Sequence, residues 1–315
     1  SQIPKNNHNV ARAHVPLEGK LNVVGGNFLE KFTSAGSVAS SVNDMTLWLK
    51  AQLNKGAYTS ADNEKTDDNE QSEKTQLFSA KQSRAMWQAR TLLSVSESAT
   101  EQDKTHFAAY GLGWFLKDYH GVKLIHHSGG ILGMVSKVVL VPEEDLAMVI
   151  LTNQQSGYAF NAIYLQILNE YLELPEKDWV AYFSDKQQTR KERESARLAK
   201  AAEAVDTNST HSLPLKAYAQ TYKDNWYGDI NISYQNNQLT MQFSNTPELA
   251  GTIEHYQHNT FIVRWHDRSL EADAFVNFYL NETGDIEYAT MKAVSHATDF
   301  SFDFHDLKLM PQSNK

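Results

Sequence analysis

Residues 110–133, Tyr-Gly-Leu-Gly-Trp-Phe-Leu-Lys-Asp-Tyr-His-Gly-Val-Lys-Leu-Ile-His-His-Ser-Gly-Gly-Ile-Leu-Gly, decide how this chain is read. Tyr110 to Tyr119 is rich in aromatic and apolar residues and predicts a strand. His120-Gly121 predicts a tight turn, and Val122 to His127 a returning strand that gives out at Ser128-Gly129-Gly130. Paired glycines at a strand end let the backbone approach a ligand closely and leave N–H groups free to hold an oxyanion. An imidazole beside them can orient a substrate or move a proton near neutral pH. The bland alternative is a glycine-rich turn next to two ordinary histidines, and the motif alone does not separate the two.

Outward from this stretch the pattern alternates between strands and helices. Met134–Val141 and Leu146–Leu151 are near-continuous apolar runs split by the turn Pro142-Glu143-Glu144-Asp145, which predicts inner strands covered on both faces. A helix is predicted from Tyr158 to Leu172, with Ile163, Ile167 and Tyr171 at i, i+4 and i+8 on one face. Upstream, Ser41-Val42-Asn43-Asp44 has capping-box spacing ahead of a stripe formed by Met45, Trp48, Leu49 and Leu53, with Gly56 as the stop. A second helix is predicted from Ser79, presenting Ala85, Met86 and Trp87 to a core. Residues 1–35 read as loop and short extended pieces.

Residues 184–205 are dense in Lys, Arg, Glu, Gln and Ala and predict a polar helix. Past Pro214 short runs alternate with period two: Ile230, Ile232 and Tyr234 before Asn236-Asn237, Leu239, Met241 and Phe243 after it, then Phe261, Val263 and Trp265. Such a succession predicts a small antiparallel barrel or sandwich. The expected class is therefore α+β, a partial antiparallel sheet with helices followed by a small barrel. The expected divisions are 1–175, a charged helical linker at 176–210, and a barrel domain at 211–315.

Composition narrows the chemistry. A net charge of -9 repels phosphate backbones, so nucleic acid is an unfavourable partner. Much of that charge sits between Thr59 and Thr75, where six acids face two lysines; this tract lacks periodicity and is expected to be a disordered insertion. The chain has no cysteine, which removes disulfides, zinc ribbons and thiol catalysis. No apolar run approaches the roughly 20 residues that span a bilayer. The start, Ser-Gln-Ile-Pro-Lys, shows neither a signal peptide nor an initiating Met, which suggests a processed or shortened beginning.

Taken in order, Ala35-Gly36-Ser37, Ser40-Ser41-Val42-Asn43-Asp44-Met45, Tyr110-Gly-Leu-Gly-Trp114, His127-Ser-Gly-Gly130, Pro142 and Val149-Ile-Leu-Thr-Asn153 resemble the later half of a serine hydrolase of the β-lactamase and penicillin-binding-protein type, in the group like class C β-lactamases with their esterase and peptidase relatives. The resemblance covers about residues 8–173. In that family the third active-site motif is Lys-Thr-Gly or His-Thr-Gly, and His127-Ser128-Gly129 is similar to the second form with Ser for Thr. The resemblance implies that His127 stands over the active site and that the Gly130 N–H is one oxyanion donor, the nucleophilic serine supplying the other. Residues 213–308 resemble the lipocalin-like domain of unknown function that trails many of these hydrolases.

One departure shapes the functional expectation. The family nucleophile lies in Ser-x-x-Lys, where the lysine eases deprotonation of the hydroxyl. No serine here has a lysine three residues on, no Tyr-x-Asn precedes Asn9-Val10-Ala11-Arg12 as the family pattern requires, and no Gly-x-Ser-x-Gly elbow replaces them. The expectation is thus the carboxyl-terminal portion of a hydrolase acting by acyl transfer on an amide, ester or lactam, inert alone and partnered by a missing amino-terminal segment. Its substrate in the intact protein would be a small acyl compound or a peptide, and by resemblance its compartment is periplasmic or secreted. The exposed sheet face of such a half-domain predicts self-association. The alternative is a non-catalytic binding or assembly module working through the barrel.

The remaining candidates carry bland readings. His255-x-x-His258 with His266 could bind a metal, but on a strand the first two should face opposite sides, so no metal site and no cofactor is expected. His126 neighbours His127 on a strand and should point the other way. Tyr110 and Trp114 either line the cleft or pack in the core.

Overall fold

The computed structural model describes residues 9–17, 19–25, 33–36, 38–59, 74–299 and 301–312. Strands β1 (His14–Leu17) and β2 (Lys20–Val23) pair as a hairpin, and a short helix α1 (Thr33–Gly36) precedes α2 (Val42–Leu53). The Ser41 hydroxyl accepts the Asp44 N–H at 3.2 Å and donates to the Asp44 carboxylate at 2.9 Å, which fixes where α2 begins. Strands β3 (Ala57–Thr59) and β4 (Lys74–Gln76) pair antiparallel with Thr59 opposite Lys74. The ends of the expected disordered stretch 59–75 are therefore ordered as a ribbon, and residues 60–73 lie outside the described residues, as does Ser37. Helix α3 (Ala80–Met86) opens with a reciprocal box between Ser79 and Gln82.

Then come β5 (Thr91–Leu93), α4 (Glu97–Asp103), β6 (Ala108–Tyr110), β7 (Phe115–Tyr119), β8 (Val122–Ile131), β9 (Met134–Val141), β10 (Leu146–Thr152) and α5 (Gly157–Tyr171). The six strands form one antiparallel sheet in the order β10-β9-β8-β7-β6-β5. Two expectations are corrected here. The stretch Tyr110–Tyr119 is two strands, because Gly111–Gly113 turns the chain back and sets Tyr110 opposite Phe115, with Gly113 at φ 78. And β10 is an edge strand; it reads as continuously apolar because both of its faces are covered, whatever its place in the order.

The two faces have separate cores. On one, Leu124, Val139, Val141 and Ile150 pack against Phe160 and Leu168 of α5. On the other, Trp114, Leu116, Ile125 and Leu140 pack against Leu49 of α2, with Trp48 stacked on Trp114 at 5.5 Å. Each fully buried side chain of this size contributes about 1.5–3 kcal/mol. The bare apolar sheet face expected from the sequence is thus not what the fold presents. Exposed apolar side chains in this region include Leu92 and Leu93 on β5 and Leu151 on β10, with Phe107 and Leu112 in the flanking loops. Helix α5 also turns a different face to the sheet: Ile163, Ile167 and Tyr171 are exposed, while Phe160, Tyr164, Leu165 and Leu168 are buried. That second stripe is wider and more aromatic, so it removes more apolar area from water.

The chain divides into two compact units, Ser1–Ser184 and Asp185–Lys315. The division falls within helix α6 (Trp179–Glu203), of which only Trp179 is buried. In the second unit α7 (Leu215–Tyr218) leads into β11 (Thr221–Asp224), β12 (Gly228–Gln235), β13 (Gln238–Phe243), β14 (Ala250–Gln257), β15 (Thr260–Trp265), β16 (Ala274–Leu280), β17 (Ile286–Ala293) and β18 (Lys308–Pro311). These eight strands close in sequence order, β18 returning to pair with β11 through Tyr222↔Pro311 and Lys223↔Met310. Closure leaves no free edge, and the period-two residues fill the lumen, among them Ile230, Met241, Phe261, Trp265 and Phe278. Asn236 and Asn237, both with positive φ, make the tight turn between β12 and β13. Among the described residues no helix is long and apolar enough to cross a membrane.

Candidate active site

Strand β8 carries the residues singled out by the sequence, and its register decides what they offer. It does not stop at His127: Ser128, Gly129 and Gly130 lie inside the strand, paired with Lys137, Ser136 and Val135 of β9. The two-residue turn Leu132-Gly133 makes Ile131 and Met134 a hydrogen-bonded pair, and such pairs alternate along an antiparallel ladder. Gly129 and His127 therefore direct their N–H and C=O groups to β9, whereas Gly130, Ser128 and His126 direct theirs to the opposite side. His126 meets Phe115 there, but Phe115 is the first residue of β7. Beyond it, among the described residues, the N–H groups of Ser128 and Gly130 face no strand. So the glycines are not at a strand end, yet they sit where the neighbouring strand has run out, and all three residues are exposed. Gly133 keeps the turn tight: it has φ 76, and an added Cβ would lie 2.7 Å from the His14 nitrogen.

His127 is half-buried beside this open stretch. Its Nδ1 lies 2.7 Å from the Ser128 carbonyl oxygen and its Nε2 lies 3.1 Å from the Tyr110 hydroxyl. A carbonyl only accepts, so Nδ1 carries the proton; in the neutral ring Nε2 then holds the lone pair and Tyr110 donates to it. Tyr110 is thus a partner of the imidazole, a role that sequence alone left undecided between cleft and core. Its signal was the glycine pair after it, which breaks the strand and brings Tyr110 back against Phe115 at 4.7 Å between rings. Trp114 is core, stacked on Trp48.

His126 has the opposite character. Its ring stacks on Phe115 at 5.5 Å, and its buried Nδ1 has no hydrogen-bond partner among the described residues. Burial first, then the positive charges of Lys137 and Lys117, hold its pKa down to about 3. Lys137, opposite Ser128 in register, is itself buried, its Nζ 4.6 Å from the Tyr164 ring centroid and 5.1 Å from that of Phe160. Burial and the charge of Lys117 lower it to about 8. Nothing in Met134–Val141 except the lone lysine inside an apolar run marked it.

The metal candidates separate differently. His255 Nε2 lies 2.9 Å from the backbone carbonyl of His258, and His266 Nε2 lies 3.3 Å from the Thr252 hydroxyl, so the three rings do not converge. Among the described residues one group of three, Asp303, His305 and Asp306, brings possible ligand atoms within 4.8 Å of one another at the surface.

Comparison with known proteins bears on both units. The family described as Beta-lactamase matches residues 3–169, and a domain of unknown function, DUF3471, matches residues 204–311. The chain is 25% identical to Unguisins hydrolase ungD' of Aspergillus campestris over 224 residues, which covers 69% of this chain and 36% of that protein. It is also 25% identical to Unguisins hydrolase ungD of Aspergillus violaceofuscus, covering 64% and 35% respectively. The chain thus spans about a third of the length of these curated relatives. Among solved structures, the octameric penicillin-binding protein homologue from Pyrococcus abyssi is matched at 14% identity and a TM-score of 0.41, over 97% of this chain and 54% of that one. The C-terminal domain of penicillin binding protein Rv0907 is matched at 15% identity and a TM-score of 0.25, over 35% of this chain and 94% of that one.

Proposed function

The chain belongs to the beta-lactamase family, whose match spans residues 3–169, and from that premise we propose that β8 forms one wall of an acyl-transfer site with His127 and Gly130 as its working groups. The observation that carries this reading is the open N–H of Gly130, aimed past the end of β7 beside the His127 imidazole. A substrate carbonyl set against that N–H would have its oxygen stabilised as it becomes an oxyanion, a contact whose removal typically costs about 10²–10³ in rate. His127 Nε2 is hydrogen-bonded to Tyr110 and can exchange that bond for one to substrate or nucleophile.

The attacking hydroxyl in this reading belongs to a Ser-x-x-Lys serine outside residues 1–315, since no serine in the sequence has lysine at that spacing. Amides, esters and lactams share the reacting carbonyl, so the substrate class is acyl compounds in general. The curated relatives carry the name hydrolase, which supports the reaction type.

The test is complementation. The chain is assayed against an aryl ester and a chromogenic lactam, alone and mixed with a segment bearing Ser-x-x-Lys and Tyr-x-Asn. Turnover in the mixture only, reduced about a hundredfold or more by His127→Ala, is the expected result. Turnover by the chain alone, or a mixture whose activity ignores His127→Ala, would overturn the proposal.

A further inference from the structure

The lower half of the sequence holds histidines that the hydrolase reading leaves unused, and the barrel brings two of them together. His211, in the segment before α7, and His255, near the end of β14, line one cavity of about 380 Å³ at the mouth of the barrel, floored by Leu239, Ile253 and Phe261. Their ring centroids are 5.4 Å apart with the planes at 83°. The Phe261 ring holds both, stacked under His211 at 6.3 Å and edge-on to His255 at 5.3 Å.

Each imidazole has one nitrogen committed to a backbone carbonyl. His211 Nδ1 lies 2.5 Å from Leu213 O, and His255 Nε2 lies 2.9 Å from His258 O. Carbonyls only accept, so these nitrogens carry the protons, and in the neutral rings His211 Nε2 and His255 Nδ1 are left with lone pairs. A ring tied to a carbonyl through its N–H and bare at the other nitrogen is the usual arrangement of a metal-ligating histidine, because the outer bond fixes both tautomer and orientation. Glu254 also lines the cavity, but its carboxylate is paired with Arg264 at 3.3 Å and is not counted as a ligand.

We propose that His211 and His255 form a two-imidazole site for a divalent transition metal such as Zn²⁺ or Cu²⁺, the ions that nitrogen ligands of this kind favour. Water completes the coordination, and the site belongs to the barrel unit alone. His258, which sequence spacing pairs with His255, contributes only its backbone carbonyl; its own Nδ1 lies 3.1 Å from the Ser209 hydroxyl.

The experiment is calorimetric titration of the untagged chain with Zn²⁺, and electron paramagnetic resonance with one equivalent of Cu²⁺. Wild type should bind one ion, with a Cu²⁺ spectrum showing two imidazole nitrogens. His211→Ala and His255→Ala should each weaken binding on the order of tenfold or more, while His258→Ala and His266→Ala leave it within about twofold. Because a cavity variant could disturb the barrel, unsubstituted protein is also treated with diethyl pyrocarbonate. Zn²⁺ should protect His211 and His255 selectively. Equal effects from all four variants, or no selective protection, would overturn the proposal.

Discussion

Replacing His126 by Phe should remove a defined part of the first unit's acid sensitivity. In the unfolded chain this imidazole takes up a proton near its ordinary 6.5; in the fold it stays neutral until about 3, held there by burial and then by Lys137 and Lys117. Across that window the unfolded state binds the proton and the folded state does not, so stability is complete above pH 6.5 and is lost as pH falls. At 1.36 kcal/mol per decade, the loss between pH 6.5 and 4 is about 3 kcal/mol, rising to about 5 kcal/mol by pH 3. Against a typical total of about 5–15 kcal/mol this is a substantial share for one ring. Phenylalanine keeps the stack on Phe115 and leaves no orphaned ring nitrogen like the Nδ1 of His126. Hydrogen exchange of β8 and β9 amides, corrected for intrinsic rates, should show opening free energies falling steeply from pH 7 to 4 in wild type and about one proton less steeply in His126→Phe. Identical slopes, or an imidazole resonance of folded His126 titrating near 6.5, would refute the argument.

Two further outcomes follow from neighbouring residues. Lys137→Met should stabilise the chain at pH 7 by about 1–3 kcal/mol: the folded amine sits at about 8 rather than 10.5, so wild type carries the full burial penalty below pH 8 and recovers as pH rises to 10.5. The lost attraction to the Tyr164 ring offsets part of the gain, and thermal melts at pH 7 and 10 read the difference. Leu168→Ala, fully buried on α5, should cost about 2–5 kcal/mol, whereas Ile167→Ala, 40% exposed, should stay near about 0.5 kcal/mol; urea unfolding followed by Trp179 fluorescence distinguishes them.

What the residues disclosed and what they hid divide along a physical line. Ser41, Ser79, His120-Gly121 and Asn236-Asn237 set caps and turns through bonds made within a few residues, and each was legible. So was the barrel, whose alternation is forced by having one wet and one dry face. Choices between two local solutions were not legible. Helix α5 has two apolar stripes, and only the sheet decides that Leu168 rather than Ile167 goes inside. Gly129 and Gly130 look like a strand end, but pairing with β9 carries the strand through them. The partner of His255 lies far upstream at His211, and no spacing rule links a loop before a barrel to a bulge within it.

The ribbon of β3 and β4 has a consequence for how this family can drift. Thr59 and Lys74 stand opposite each other, so the polypeptide leaves α2's vicinity and comes back to it at adjacent points. Whatever joins those points closes a loop whose entropy grows only with the logarithm of its length. Insertions and deletions between them are therefore nearly neutral for the sheet, and sister proteins should differ in length there far more freely than anywhere along β6 to β10.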